Sequence, residues 1–171
     1  LTEKRAPAPK GAGEATLGLF AGYLEAQGGE NVALIRQEMR EVMTRQVGVF
    51  RIEKGIEEAI AALISFKGRA AKVGIATKDL RMNQELLERW ELDNLLDNSM
   101  TIAQGALMRK ESRGAHFRED YPERSDEFQH HTLVSMTEFG KVAFGKRPID
   151  LSIYESGGES YERFGIMSRK Y

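Results

Sequence analysis

Apolar residues recur at helical period along three long stretches of the chain. In the first, Leu34 or Ile35, Met39, Val42 or Met43 and Gln46 or Val47 fall on one face. Asn31 stands before it as an N-cap and Gly48 closes it. The second runs from about Ile52 to Lys72 and repeats through Ile56, Ile60, Leu63 and Phe66 or Lys67. The third, from about Asn83 to Glu111, is the longest. It carries Met82, Leu86, Trp90, Leu96, Met100, Ala103 and Leu107, broadened by Leu87, Leu92 and Leu95. A stripe this wide predicts burial against two neighbours rather than one. Connections of roughly 4–11 residues predict that the helices run antiparallel. The expected fold is mainly α: an antiparallel three-helix bundle, spectrin-repeat-like, with an extended C-terminal arm.

The pattern divides the chain into residues 1–30, a linker with a possible short helix; 31–116, the bundle; and 117–171, a charged loop and extended arm. Pro7, Pro9, Gly11 and Gly13 argue against regular structure at the start, whereas Leu17, Phe20 and Leu24 suit a short helix over 14–27. Residues 130–139 and 142–154 have strand character and suit a small hairpin or arm, and the segment from Ser156 is polar with scattered aromatics. Asp93 and Asp97 lie beside the stripe of the third helix. They are either surface carboxylates or partners of a positive charge on a neighbouring helix. Arg51/Lys54 and Arg69/Lys72 read most simply as solvated faces.

Composition narrows the chemistry. Twenty-five basic residues against 26 acidic ones give no basic field of the kind a nucleic-acid binder shows. With no cysteine, the chain holds no disulfide, thiolate nucleophile or cysteine-ligated metal. No apolar run approaches the roughly 18 residues that span a bilayer. His116, His130 and His131 complete no zinc spacing, and Gly11-Ala12-Gly13 lacks the spacing and preceding strand of a nucleotide-binding loop. A first residue of Leu1 rather than methionine suggests a piece of something longer.

One stretch differs in kind: Lys110-Glu111-Ser112-Arg113-Gly114-Ala115-His116-Phe117-Arg118-Glu119-Asp120-Tyr121-Pro122-Glu123-Arg124. It joins a helix end to closely interleaved charges of both signs. Arg113, Arg118 and Arg124 can each clamp a carboxylate through two parallel hydrogen bonds. A histidine among arginines has its proton affinity lowered, which suits either a neutral hydrogen-bonding group or a base. The residues alone leave two readings, a salt-bridged interface loop and a catalytic loop.

From Glu111 to Arg124, with Asp126 and Glu127 following, the chain resembles the C-terminal helical domain of succinate dehydrogenase and fumarate reductase flavoprotein subunits. Arg36 to Phe50 and Leu92 to Arg113 resemble that domain's first and third helices, whereas Phe128-Gln129 stands where the family often has asparagine and tryptophan. The resemblance implies a parent protein that binds FAD and interconverts succinate and fumarate, with neither cofactor-binding nor catalytic residues in this chain. It implies that Arg113 and His116 pack against the flavin-binding domain of the same parent chain, and that Arg118, Asp120 and Arg124 brace the loop. An iron–sulfur subunit is the expected further partner, with no nucleic acid and no direct membrane span. The expected location is the cytoplasm, or the cytoplasmic face of the membrane through partner subunits. The competing readings are a free-standing helical interaction adaptor, or the same module from an L-aspartate oxidase or adenylylsulfate reductase.

Overall fold

The structure, a computed structural model, describes residues 9–150, so the start of the expected linker and the polar segment from Ser156 lie outside it. The long helices start where short amide side chains can satisfy their free N–H groups. Asn31 caps helix α2 (Val32–Gln46), accepting from the backbone N–H of Ala33 at 2.8 Å and Leu34 at 3.2 Å. Asn83 caps helix α4 (Gln84–Met108) by accepting from Leu86 N–H at 2.9 Å. Between them runs α3 (Glu53–Ala70). Ile35 and Met39 of α2, Ile56, Ala59, Leu63, Phe66 and Ala70 of α3, and Leu92, Leu96, Met100 and Ala103 of α4 form one buried core.

The expectation of a simple three-helix bundle is corrected here. The described residues form four helices and two small β-sheets. The additional helix, α1 (Ala12–Glu25), packs on the N-terminal half of α4, where Tyr23, Leu86 and Ile75 make a second, smaller core with Phe20 and Leu24. Strand β1 (Phe50–Arg51) pairs in parallel with β2 (Phe117–Arg118), Phe50 opposite Phe117 and Arg51 opposite Arg118. Two residues per strand leave no periodic signal in a sequence, so this sheet was not foreseeable from pattern. The region expected as an extended arm is, through Pro148, a hairpin of β3 (His130–Glu138) and β4 (Lys141–Pro148). Thr132, Val134 and Met136 alternate with exposed neighbours along β3, and Met136 and Phe139 pack against the main core.

Two details of the third helix also differ from its pattern. Met82 and Trp90 are exposed although they fit the stripe, and Arg89 and Ser99 are buried instead. The helix ends at Met108, three residues before Glu111, because Arg109 turns into extended backbone (φ −82°, ψ 100°). Close packing also dictates one glycine: a Cβ on Gly28 would lie 1.8 Å from the Lys72 carbonyl oxygen, where the segment after α1 crosses the end of α3.

Candidate functional site: an arginine node at three helix ends

Each α-helix leaves its last carbonyls and first N–H groups unpaired and carries partial charge at its ends, negative at the C-terminus and positive at the N-terminus. In this chain the ends of α2, α3 and α4 meet at the loop 109–125, and Arg51 of β1 together with that loop supplies the missing partners. Arg51 donates from Nε to the carbonyls of Val47 (3.1 Å) and Gly48 (2.7 Å), closing α2. Arg118, fully buried, donates from Nη1 to the carbonyls of Ala106 (2.9 Å) and Leu107 (3.1 Å), closing α4. Asp120 accepts from the backbone N–H of Glu53 at 2.9 Å, giving the N-terminus of α3 the acceptor that Ile52 cannot provide. The sign of charge at each end matches the helix dipole.

The same side chains then bind one another. Arg118 meets Asp120 through Nε–Oδ1 (2.7 Å) and Nη2–Oδ2 (2.8 Å), and lies 5.0 Å over the Tyr121 ring. Its guanidinium holds the Asp120 carboxyl down to about 2. Glu111 has no exposed surface and accepts from Arg109, from Arg113 (Nε at 2.9 Å, Nη2 at 3.0 Å) and from the backbone N–H of Ser125 (2.9 Å). Burial opposes its charge, but these donors outweigh the loss of water and its pKa lies below the ordinary glutamate value. Ser112 stitches the loop, its hydroxyl accepting from Arg118 N–H and donating to the Tyr121 carbonyl, both at 2.9 Å. Arg109 reaches onward to the carbonyls of Phe128 (2.8 Å) and His130 (2.7 Å), anchoring the hairpin.

His116 sits between Arg51 Nη1, 2.8 Å from its Nδ1, and the Arg109 carbonyl, 3.0 Å from its Nε2. A guanidinium only donates, so Nδ1 carries the lone pair and Nε2 carries the hydrogen that bonds the carbonyl. The imidazole is therefore held neutral. Burial and the nearby guanidiniums of Arg51, Arg109 and Arg118 push its pKa below the ordinary histidine value, against the carbonyl's opposite pull. Gly114 (φ 62°) provides the left-handed turn that lets Arg113 and His116 exchange backbone hydrogen bonds at 2.8 and 3.1 Å.

Residues 36–171 match the family model described as fumarate reductase flavoprotein C-term. The chain belongs to that family. It is 38% identical over 140 residues to the succinate dehydrogenase flavoprotein subunit of Rickettsia conorii, covering 81% of this chain and 24% of that protein. It is 43% identical over 113 residues to the fumarate reductase flavoprotein subunit of Helicobacter pylori, covering 66% of this chain and 16% of that protein. Among solved structures it superimposes on an E. coli quinol fumarate reductase with a TM-score of 0.75 at 30% identity, covering 84% of this chain and 26% of that one. The chain thus spans about a quarter or less of the length of these relatives.

Within this flavoprotein C-terminal domain, Arg113, His116, Arg118 and Asp120 come together in the node. Arg124 does not join them: its Nε is buried and makes no hydrogen bond among the described residues. Sequence reasoning missed Arg51, Arg109, Glu111 and Ser112 as members. Arg51 is half-buried in the node, and Arg69 holds Glu30 (3.1 Å) and Glu38, so neither is a solvated face. Only the interleaving of charges of both signs after the helix end was visible beforehand. Asp93 does have its cation on a neighbouring helix: Lys67 of α3 lies 3.0 Å from Asp93 and 2.8 Å from Asp97.

Among the described residues no cluster of three His, Asp or Glu is placed to hold a metal. A groove of about 440 Å³ beside the node is lined by Arg51, Arg109 and His116 together with Ile102, Gly105 and Val134. The donors of Arg109 and His116 that border it engage carbonyls, Glu111 and Thr132. Among the described residues no helix is long and apolar enough to cross a membrane.

Proposed function

We propose that this module serves an FAD-dependent parent that interconverts succinate and fumarate, and that its part is to present the loop 109–125 as a preorganised brace against the flavin-binding domain. The observation that carries this is the node itself. Three helix ends converge on a loop in which Glu111 is paired with Arg113 and Arg118 with Asp120, so this part of the loop keeps one shape without a ligand. Arg113, His116, Arg118 and Asp120 hold that shape. Flavin chemistry, the hydride transfer between dicarboxylate and flavin, belongs to the parent's other domains. An iron–sulfur subunit receives the electrons, on the cytoplasmic side of the membrane.

The test uses the full-length parent subunit carrying Arg113→Ala. Releasing Glu111 from one of its two arginines loosens the loop, so flavin absorbance near 450 nm per protein and the thermal midpoint both fall. If both stay at the wild-type value, the bracing role is wrong. Stoichiometric flavin bound to the present chain alone would place the cofactor site here and overturn the division of labour.

A further inference from the structure

The arginines that crowd the node are not equally matched by acids. Arg109 and Arg113 share Glu111, and Arg118 holds Asp120. Arg51 forms no ion pair among the described residues; its partners are the carbonyls of Val47 and Gly48 and the ring of His116. It is half-buried, and burial and the charge of Arg118 both push its pKa below the ordinary arginine value. A cation that has lost part of its water and gained no counter-charge attracts an anion.

Arg51 lines the groove of about 440 Å³ beside the node, and its guanidinium is held in place there. Nε is spent on the two carbonyls that close α2, and Nη1 donates to His116 Nδ1 at 2.8 Å. Nη2 makes no hydrogen bond among the described residues, so its two hydrogens remain for a ligand. Thr132 lines the same groove. Its hydroxyl accepts from Arg109 Nη2 at 3.0 Å, which leaves its own hydrogen to donate. Apolar surface completes the lining: Ile102, which is 55% exposed, with Gly105, Ala106 and Val134. Packing does not force a glycine at 105, since an added Cβ would meet only the Val134 Cγ2 methyl, at 3.8 Å. Glycine inside a helix costs stability relative to alanine, and at this position it keeps the groove open.

We propose that this groove binds a small carboxylate bearing a short hydrocarbon chain, with Arg51 and Thr132 as donors to the carboxylate and Ile102, Gly105 and Val134 along the chain. A planar guanidinium edge suits a carboxylate, and the pair makes charge-assisted hydrogen bonds. A few placed polar groups in an otherwise apolar lining are the usual make-up of a small-molecule site, for which volumes of roughly 300–1,000 Å³ are typical. A hydrated inorganic anion gains nothing from Ile102 and Val134, whereas a hydrocarbon chain buries them. The site is built from residues of this chain alone, so it holds whether or not the parent interconverts succinate and fumarate.

Methyl NMR of the full-length protein, titrated with n-pentanoate, tests this. The Ile102 and Val134 signals should shift saturably, at about tenfold lower concentration than with pentanamide, which keeps the shape and lacks the charge. Inorganic phosphate should need a higher concentration than pentanoate, because it lacks the chain. Gly105→Leu fills the groove without removing any node side chain and should abolish the titration. An equal response to pentanamide would show that Arg51 does not select the ligand, and an equal response to phosphate would reduce the groove to surface charge; either overturns the proposal. So would an undiminished titration in Gly105→Leu. The absence of any saturable shift in the full-length protein, as when a carboxylate from another domain already occupies Arg51, would overturn it as well.

Discussion

Arg118 and Asp120 grip each other through two parallel hydrogen bonds, and each also closes a different helix, Arg118 the C-terminus of α4 and Asp120 the N-terminus of α3. Removing Arg118 therefore strips three groups at once. Arg118→Ala leaves the α4 carbonyls unpaired and Asp120 without its buried partner, and is expected to cost about 3–5 kcal/mol. Arg118→Lys retains the charge but loses the fork, with an expected loss of about 1–3 kcal/mol. Urea unfolding of the two variants against wild type checks the order, and an Arg118→Ala midpoint equal to wild type would refute the node as a stabilising element.

Acid should weaken the fold in two separate windows. His116 has a native pKa below that of the unfolded chain, so the native state binds fewer protons. Its stabilising contribution is whole above about pH 6.5 and declines as pH falls below that, until the native imidazole itself titrates. Asp120 follows the carboxylate pattern: its contribution is present above the ordinary value of 3.8 and is lost as pH falls through about 2. Urea midpoints followed from pH 8 to pH 2 should fall first near pH 6.5. His116→Gln, which keeps a neutral donor and acceptor, should flatten that first decline and leave the one at lower pH.

What the sequence made legible was local. Asn31 caps α2 through residues two and three positions away, and the pattern marks it as a cap; Asn83, read only as the start of its helix, caps α4 in the same way. Arg51 and Arg118 act on carbonyls of Val47, Gly48, Ala106 and Leu107, and a backbone carbonyl has no letter of its own. The periodicity of α4 is also misleading at one end. Tyr23 of α1 covers the face bearing Arg89 and Asp93, and Phe20 of α1 meets Trp90 edge-on with ring centroids 5.9 Å apart, so Trp90 packs on α1 rather than in the main core. The site was half visible for the same reason: charge density between Glu111 and Arg124 stands out in sequence, whereas which charges are buried depends on three helix ends meeting.

The join between α1 and the other helices runs through one carboxylate. Asp93 accepts from Tyr23 Oη and meets both Lys67 and Arg89, whose guanidinium lies 4.5 Å over the Tyr23 ring. Burial opposes the charge on Asp93, yet its hydrogen bonds and the two cations keep its pKa below the ordinary value. Tyr23→Phe removes a hydrogen bond to a charged acceptor and should cost about 1.5–3 kcal/mol. The effect should be local: hydrogen exchange should speed up across Ala12–Glu25 while Glu53–Ala70 stays protected. Uniform acceleration of both helices would show α1 to be inseparable from the rest.

Two glycines should respond to alanine in opposite directions, and the difference isolates space from chain entropy. Gly68 lies on the exposed side of α3 and a Cβ there meets nothing within 4 Å. Alanine then only restricts the unfolded chain and favours the helix, so Gly68→Ala should stabilise by about 0.5–1 kcal/mol. At Gly28 the added Cβ would overlap the Lys72 carbonyl, and Gly74 presses on the Gly28 backbone from the same crossing, with its own Cβ position 2.8 Å from the Gly28 oxygen. Backbone on both sides leaves no flexible side chain to move aside. Gly28→Ala should therefore destabilise by about 1–3 kcal/mol, the cost of forcing atoms into a packed site. At this chain length about 1 kcal/mol moves the thermal midpoint by 2–4 °C, so calorimetry separates a rise for Gly68→Ala from a fall for Gly28→Ala. A rise in both would mean that the crossing between residues 28 and 72 is looser than its geometry states.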